Sequence, residues 1–178
     1  NHLITSGLVE GEKTENPLSV VWLSYSVHGN ESSSMEAAIK TLHTFADTNN
    51  VEQQKWLEKV VLMIDPCINP DGRDRYANYH RMTGNLIPDV DATTREHREP
   101  WPGGRTNHYY HDLNRDWVWQ SQQESQQRLK LYNQWLPHIH VDYHEQSYND
   151  PYYFAPAVEP YHELITPWQR EFQAIIGD

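Results

Sequence analysis

The sequence contains one cysteine, Cys67, among 178 residues, and it has few positively charged side chains. A single cysteine excludes an internal disulfide and a zinc cage built from several thiolates, and it leaves the redox compartment open. Lysine and arginine number 14 against 25 aspartates and glutamates, and the net charge of -11 argues against a nucleic-acid or anionic membrane partner. No apolar run approaches the ~20 residues of a membrane span. We therefore expect one domain without a membrane span.

Residues whose rings carry a polar atom (histidine, tryptophan and tyrosine) are abundant in this sequence, whereas phenylalanine is scarce. The chain has 11 histidines, 7 tryptophans and 11 tyrosines against 3 phenylalanines. Imidazole, indole and phenol groups combine apolar surface with a hydrogen-bonding atom, so this composition suits a chain that lines a polar site. Composition alone fits an aromatic-rich surface equally well, for example a glycan-binding surface formed by Trp101, Tyr109, Tyr110, Trp117 and Trp119.

Three short apolar runs predict the strands of a parallel sheet. They are Ser19–Tyr25, Val60–Ile64 and Ile139–Tyr143, and the first is continuous enough to suit a strand covered on both faces. A helical period from Ser32 to Asp47 lies between the first two runs. A strand, a helix and a second strand form a parallel unit that is right-handed in nearly all proteins. The pattern therefore predicts an α/β fold.

The segments between these runs carry weaker signals. The NPDG stretch, Asn69 to Gly72, predicts a tight turn, and Thr83 to Gly104 predicts a long loop. An apolar stripe predicts a helix over Ser121–Leu136, with Ser121 and Glu124 as its capping box. We expect four further elements: an edge strand or irregular structure in residues 1–17, a short helix over Glu52–Lys59, a fourth strand over Tyr152–Ala155, and a last helix over Pro160–Ile176 broken near Pro167.

Two imidazoles and a carboxylate stand at the ends of predicted strands. His28 and Glu31 follow the first strand with two residues between them, and His144 follows the third. The carboxyl ends of parallel strands meet at one edge of a sheet, where such sheets bind their ligands. Two histidines and a glutamate form a ligand set of catalytic zinc sites. The H-x-x-E spacing arises often by chance, so these residues could also be ordinary polar residues at strand ends.

Other residues compete for the role of metal ligand. His140 and Asp142 share one face of the third strand with His144, but His140 lies in the middle of that strand. Glu145 is adjacent to His144 and should point to the opposite face, which makes it a poor general base. Two further histidine pairs have short spacings: His108 with His111, and His138 with His140.

Five motifs together resemble those of zinc metallocarboxypeptidases, the carboxypeptidase A-like M14-type peptidases. In chain order they are HGNE (28–31), NPDG (69–72), GGR (103–105), DLNR (112–115) and DYHEQ (142–146). The stretch GGRTNHYYHDLNRDW is most similar to the bacterial branch of that family. The resemblance implies a three-layer α/β/α fold with a mostly parallel mixed sheet. Residues 1–178 would form a single partial catalytic domain whose C-terminal part is missing.

The resemblance also implies roles for individual residues. One Zn²⁺ would be bound by His28, Glu31 and His144, with Asp112 accepting the second N–H of His28. The substrate would be a peptide or an amino-acid derivative with a free carboxylate, and that carboxylate would be bound by Asn114 and Arg115. Arg105 would polarise the scissile carbonyl, although Arg95 and Arg98 lie in the same predicted loop and compete for this assignment.

The chain departs from the family pattern after the third proposed ligand. In this family the general-base glutamate and the tyrosine that closes over the substrate lie well beyond that ligand, and nothing between His144 and Asp178 matches them. We therefore expect a fragment of a longer enzyme rather than a natural non-catalytic relative. The missing initiator methionine favours the same interpretation.

Two other functions stay open at the level of sequence. The related acylase branch, which deacylates N-acyl amino acids, is similar in HGNE and DLNR, whereas NPDG and Trp117 favour a peptidase. A zinc-binding or carboxylate-binding module without catalysis is compatible with the missing base. The family resemblance suggests a secreted or periplasmic protein, and the sequence leaves the oligomeric state open.

Overall fold

A computed structural model describes residues 18–147, 149–150 and 155–177. They divide into two compact units, one ending at Glu145 and the other beginning at Gln146. The segment expected to hold an edge strand, residues 1–17, lies outside the described residues. So does most of the fourth strand expected over Tyr152–Ala155.

The first unit is built on a three-stranded parallel sheet. Its strands are β1 (Ser19–Tyr25), β2 (Val60–Asp65) and β3 (Ile139–Tyr143), in the order β2-β1-β3. The central strand β1 pairs with both neighbours along its length: Leu23 lies opposite Ile64 on one side and Val141 on the other. This arrangement confirms the α/β class and the three predicted strands, and it places the ends of β1 and β3 side by side.

Five α-helices and two short 3-10 turns occur in the described residues. The helices are α1 (Ser32–Ala46), α2 (Val51–Leu57), α3 (Pro70–Thr83), α4 (Gln123–Trp135) and α5 (Pro167–Gly177). The 3-10 turns are Arg95–His97 and Leu113–Arg115. Among these elements, no helix has the length and apolar character needed to cross a membrane.

One face of β1 packs against α1. Leu23 and Tyr25 point to this face and form a buried cluster with Ala38 of α1. The Tyr25 hydroxyl also donates a hydrogen bond to Thr41 Oγ1 at 3.2 Å. Each large apolar side chain buried in this way contributes roughly 1.5–3 kcal/mol, so the cluster fixes α1, and with it the turn that precedes the helix, against the sheet.

The opposite face of β1 packs against α4. The Trp22 ring lies 5.6 Å from the Tyr132 ring, measured between centroids. Arg128 donates a hydrogen bond from Nη2 to Ser24 Oγ at 2.9 Å. Helices therefore cover both faces of the sheet, as expected for a three-layer fold, and the α4 side is the more polar of the two.

The NPDG stretch begins a helix, so the prediction of a tight turn was wrong. Asn69 is the N-cap of α3, and its side chain accepts a hydrogen bond from the Gly72 N–H at 2.9 Å. Pro70 occupies the first turn, where its missing N–H costs nothing. The helix is polar on most of its surface, so no apolar period marks it in the sequence.

The capping box predicted for α4 was wrong as well. The helix begins at Gln123, and Ser121 lies before the N-cap. Asp116 accepts hydrogen bonds from the Ser121 N–H at 2.9 Å and the Ser121 hydroxyl at 2.7 Å, and its second oxygen accepts from the Gln122 N–H at 2.9 Å. The carboxylate that organises this helix start therefore lies upstream of it, while the predicted partner Glu124 plays no capping role.

The last helix starts at Pro167 rather than at Pro160. The reason is a reciprocal pair of hydrogen bonds around the helix start. Gln169 Oε1 accepts from the Thr166 N–H at 2.8 Å, and Thr166 Oγ1 accepts from the Gln169 N–H at 3.3 Å. This is a capping box with proline at the first helical position, so the expected break near Pro167 is the helix start.

Candidate metal centre

The end of β1 is fixed by hydrogen bonds before the chain reaches His28. The Ser26 N–H donates to Ser34 Oγ at 2.8 Å, and the Ser26 carbonyl accepts from the Asn69 N–H at 3.1 Å. His28 itself is only 2% exposed. Glu31 then occupies the N-cap position of α1, so the helix start presents its carboxylate beside the imidazole.

His28, Glu31 and His144 form one cluster. His28 Nδ1 lies 2.6 Å from Glu31 Oε1, and His144 Nδ1 lies 3.3 Å from Glu31 Oε2. One ligand atom from each residue can be chosen so that all three lie within 4.8 Å of one another. The three residues that we predicted from the sequence as candidate metal ligands therefore lie together in the structure. They follow the ends of two adjacent strands.

The second nitrogen of His28 contacts a carboxylate. His28 Nε2 lies 3.1 Å from Asp112 Oδ1, and the same oxygen accepts a hydrogen bond from the Asn114 N–H at 2.9 Å. A proton on Nε2 satisfies this contact and leaves the Nδ1 lone pair directed toward the cluster. Asp112 thus contacts the nitrogen of His28 that does not face Glu31.

The cluster favours positive charge. Burial disfavours ionisation of Glu31, but hydrogen bonds from His144, His28 and the Glu145 backbone outweigh it and lower the Glu31 pKa to about 2. Hydrogen bonds to Asp142 and Glu31 raise the His144 pKa to about 9, against the opposing effect of burial. Without a metal, His144 carries the positive charge that these carboxylates attract.

Arg105 lies at the rim of the cluster. Its Nη1 atom is 3.4 Å from His28 Nδ1 and 4.0 Å from Glu31 Oε1, so it approaches two of the candidate ligand atoms. About half of the side chain, 48%, is exposed. The guanidinium group is therefore within reach of the cluster and also accessible to a molecule arriving from solvent.

The N-cap residue of α3 and one residue within α3, neither of them singled out in the sequence as a site residue, hold the loop that carries Arg105. Asn69 Nδ2 donates to the Arg105 carbonyl at 3.1 Å. Arg75 donates to the Gly103 carbonyl at 3.1 Å and to the Asn107 carbonyl at 2.8 Å, and it also bonds the carbonyl of Thr106. The backbone is therefore anchored on both sides of Arg105. Such long-range bonds leave no periodic signal in a sequence.

Three glycines bring three of the motifs into backbone contact. The Gly29 N–H donates to the Gly104 carbonyl at 2.8 Å. A Cβ atom on Gly29 would lie 2.0 Å from the Arg73 nitrogen, and one on Gly72 would lie 2.3 Å from the Gly104 oxygen. Only glycine fits such close approaches, because the neighbouring atoms belong to the backbone and cannot turn aside.

Asn114 and Arg115 lie in the 3-10 turn that follows Asp112. Leu113, between them and Asp112, is 2% exposed and packs with Val27 and Ile68. Arg115 donates from Nη1 to the Asn114 carbonyl at 3.1 Å, and its side chain is otherwise exposed to solvent. The turn is thus anchored by Leu113, and it presents the Arg115 guanidinium outward.

The competing histidines take other positions. His138 Nδ1 accepts a hydrogen bond from the Val20 N–H at 2.9 Å, and His140 Nε2 lies 2.6 Å from Ser24 Oγ on the α4 side of the sheet. His108 is exposed and lies 3.6 Å from Asp71. His111 is also exposed. None of these four joins the cluster around Glu31, so within the described residues the grouping of metal-ligand type is that of His28, Glu31 and His144.

Glu145 serves the start of α1. Its Oε1 atom accepts hydrogen bonds from the Ser33 backbone N–H and from the Ser33 hydroxyl. The first N–H groups of a helix have no partner inside the helix, so this carboxylate satisfies one of them. The Glu145 N–H in turn donates to Glu31 Oε2 at 2.9 Å. Glu145 therefore helps to hold Glu31.

The donor set suits zinc. Two imidazole nitrogens and one carboxylate oxygen converge, and zinc in catalytic sites is bound by three protein ligands of these types. A cluster of this kind leaves a coordination position open, whereas structural zinc sites are closed by a fourth protein ligand. The arrangement can therefore hold a metal that acts on a bound substrate.

Comparison with known proteins agrees with this geometry. The family model of zinc carboxypeptidases, peptidase family M14, matches residues 5–151. The chain is also 29% identical over 134 residues to "Probable carboxypeptidase 2" of Arthroderma benhamiae (strain ATCC MYA-4681 / CBS 112371). That alignment covers 74% of this chain and 20% of the relative, so the chain spans about a fifth of the relative's length. On the extent of the family match, this chain belongs to the zinc carboxypeptidase family.

Proposed function

We propose that this chain contributes the zinc-binding part of a metallocarboxypeptidase, which hydrolyses the peptide bond next to a free C-terminal carboxylate. The observation that carries the proposal is the placement of Glu31 between the Nδ1 atoms of His28 and His144. Family membership supports the same activity. Within the family we favour the bacterial branch, on the motif GGRTNHYYHDLNRDW.

Three residues would hold one Zn²⁺ ion: His28, Glu31 and His144. When bound, the ion would act as a Lewis acid on the scissile carbonyl and lower the pKa of a water molecule toward neutrality. Glu31 contributes the negative charge of the site, because its low pKa keeps it ionised over the whole neutral range. Asp112 holds His28 with Nδ1 directed inward.

Arg105 is our candidate for stabilising the oxyanion that forms on the scissile carbonyl. Its guanidinium group lies at the rim of the cluster and is half exposed, so it can donate to a carbonyl oxygen without breaking its contacts to Asp112. Preorganised donors of this kind act on the charge that develops in the transition state. The contacts of its guanidinium group to His28 and Glu31 favour Arg105 over the competing Arg95 and Arg98.

Asn114 and Arg115 are our candidates for binding the substrate's terminal carboxylate. A planar guanidinium fork matches the geometry of a carboxylate, and Arg115 presents one to solvent on a turn anchored directly after Asp112. Asp112 connects this turn to His28, so the group that would bind the substrate's end and the group that would bind the metal share one support.

A substrate panel tests the proposal. The natural polypeptide that contains this chain, loaded with Zn²⁺, should cleave an N-blocked dipeptide with a free C-terminal carboxylate and should leave its C-terminal amide intact. Removal of the metal with a chelator should abolish the activity. Release of acetate from N-acetyl amino acids with peptides untouched would overturn the proposal in favour of an acylase. Zinc binding without any turnover would instead indicate a binding module.

A further inference from the structure

We propose that Asp142 positions His144 for metal binding and that the buried Arg128 holds Asp142 in place. The inference rests on the proposed zinc site and adds two residues to it. Neither residue would touch metal or substrate, so both are positioning residues. Their arrangement repeats, on the second histidine, the contacts that Asp112 and Arg105 make around His28.

The two nitrogens of His144 face two different carboxylates. Nδ1 lies 3.3 Å from Glu31 Oε2, and Nε2 lies 3.2 Å from Asp142 Oδ2. A proton on Nε2 would satisfy Asp142 and leave the Nδ1 lone pair free for a metal, as in the carboxylate–histidine pairs that orient zinc ligands. Asp142 therefore fixes both the tautomer and the direction of the ring.

Asp142 is itself held from the α4 side of the sheet. It lies on β3 opposite Ser24, and its Oδ1 atom is buried with no hydrogen-bond partner. The guanidinium group of Arg128 lies beside that atom, with Nη2 at 3.8 Å. A buried carboxylate oxygen without a hydrogen bond is costly unless an opposite charge lies close, and the Arg128 guanidinium group supplies that charge.

Arg128 is a fixed group. Its side chain is 7% exposed, Nη2 donates to Ser24 Oγ at 2.9 Å, and the guanidinium carbon lies 4.1 Å from the Trp117 ring centroid. On its other side, Nε lies 3.9 Å from Asp65 Oδ2. A guanidinium group packed between two carboxylates and an aromatic ring has little freedom to move, and so it restrains the Asp142 carboxylate.

The two histidine supports differ in one respect that assigns them different roles. Arg105, behind Asp112, is 48% exposed, whereas Arg128, behind Asp142, is 7% exposed. Arg105 can therefore meet a substrate. Arg128 belongs to α4 and is buried against the sheet, so we expect it to act on the cluster through Asp142 and His144.

Zinc affinity tests the proposal directly, measured on the natural polypeptide that contains this chain by competition with a chromophoric chelator. Asp142→Ala should weaken Zn²⁺ binding by about 10- to 100-fold, the range seen when the hydrogen-bond partner of a metal-bound histidine is removed. Asp65→Asn is the matched control, because Asp65 also faces Arg128 but does not contact His144. It removes one negative charge beside the same arginine, and we expect it to change the affinity less than about threefold.

Two outcomes would overturn the inference. An Asp142→Ala chain that binds Zn²⁺ as tightly as the wild type removes any role for Asp142. An equal loss of zinc affinity in Asp65→Asn would show that the affinity depends on the net charge around Arg128 rather than on the contact between Asp142 and His144. Failure of the wild-type chain to bind Zn²⁺ would instead remove the proposed metal site itself, so the two failures are distinguishable.

The imidazole tautomer supplies a readout that a merely structural role would not change. At a pH above the raised His144 pKa of about 9, where the metal-free ring is neutral, the ¹⁵N chemical shifts of His144 should show its proton on Nε2 in the wild type. In Asp142→Asn, which keeps the shape of the side chain, the proton should be shared between the two nitrogens. Arg128→Lys should act in the same direction but more weakly. Unchanged His144 shifts in a folded Asp142→Asn chain would contradict the proposal.

Discussion

Arg105 and Asp112 are joined through a single carboxylate oxygen. Arg105 Nε donates to Asp112 Oδ2 at 3.0 Å, and Nη2 lies 3.0 Å from the same atom. The other oxygen, Oδ1, faces His28. One aspartate therefore links the candidate oxyanion donor to a candidate metal ligand. The remaining guanidinium nitrogen, Nη1, is the one directed toward the cluster.

This geometry predicts how Arg105→Ala affects catalysis by the natural polypeptide. Removing one oxyanion donor should lower kcat by about 100-fold with a smaller effect on KM, because the interaction strengthens in the transition state. The affinity for zinc should not fall, since Arg105 is not a metal ligand. Arg98→Ala is the matched control from the same loop, and its kcat should stay near that of the wild type. A larger loss of kcat in Arg98→Ala than in Arg105→Ala would reverse the assignment.

Zinc affinity should increase with pH. Hydrogen bonds to Asp142 and Glu31 raise the His144 pKa from 6.5 to about 9, so a metal must displace a proton below that pH. The apparent affinity should rise by about tenfold per pH unit for one displaced proton. In the metal-free chain the protonated His144 contributes stability below pH 6.5, and this contribution is lost as the pH rises through about 9.

Calorimetry of Zn²⁺ binding in buffers of different ionisation enthalpy would count the released protons. His144→Ala should remove both tight binding and the proton release assigned to this residue. An affinity that is flat between pH 6.5 and 8.5 would contradict the proposed coupling between His144 and its carboxylates.

Gly29→Ala should destabilise the chain. The added Cβ would lie 2.0 Å from the Arg73 backbone nitrogen, and neither backbone can move without separating the end of β1 from α3. Overpacking of this kind costs about 1–3 kcal/mol. Gly103→Ala is the matched control, because its Cβ would meet the flexible Glu99 carboxyl group, at 2.9 Å. Urea unfolding should show a clear loss for the first variant and a smaller one for the second.

The sequence predicted the features that depend on local periodicity. The three strands follow apolar runs, and parallel strands bring their carboxyl ends together, so His28 and His144 could be expected at one edge. Helix α3 was missed because it meets the rest of the protein through close backbone contacts at glycines rather than through apolar side chains. It therefore shows no apolar period in the sequence. Asn69 followed by proline and aspartate is an N-terminal helix signal that could have identified it.

The contacts that support the site could not be predicted from sequence patterns, for a different reason. Asp142 shares the His144 face of β3, which the alternation of side chains in a strand predicts, but nothing local indicates Arg128 behind it. Arg75 reaches carbonyl groups about thirty positions away, as its bonds to Thr106 and Asn107 show. Side-chain bonds to distant backbone atoms depend on the assembled fold, so they have no signature in one sequence.

The corrected cap of α4 predicts that Asp116 matters more than Ser121. Asp116→Ala should cost about 2–3 kcal/mol, because it removes charge-assisted bonds to two backbone N–H groups, whereas Ser121→Ala should cost roughly 0.5–1 kcal/mol. Burial opposes ionisation of Asp116, but bonds from Ser121 and Ser125 outweigh it and lower its pKa to about 2.

The contribution of Asp116 to stability is therefore present above about pH 4 and is lost as the pH falls through about 2. Urea midpoints measured from pH 2 to pH 6 should decline less steeply on the acid side in Asp116→Asn than in the wild type. A serine cap would give the reverse order, with Ser121→Ala the more damaging of the two alanine variants.

Arg115→Ala should mainly weaken substrate binding. The guanidinium group is exposed on the turn after Asp112, where it can form charge-assisted hydrogen bonds to a terminal carboxylate, each worth about 1.5–3 kcal/mol. KM for a peptide with a free C-terminus should rise by at least tenfold in the natural polypeptide, with kcat less affected. The C-terminal amide of the same peptide supplies the control, because it lacks the charge that Arg115 would bind. If Arg115 acts on the carboxylate, the variant and the wild type should bind the amide equally weakly, measured as inhibition of cleavage. Equal losses of affinity for acid and amide would place Arg115 in the support of the turn instead.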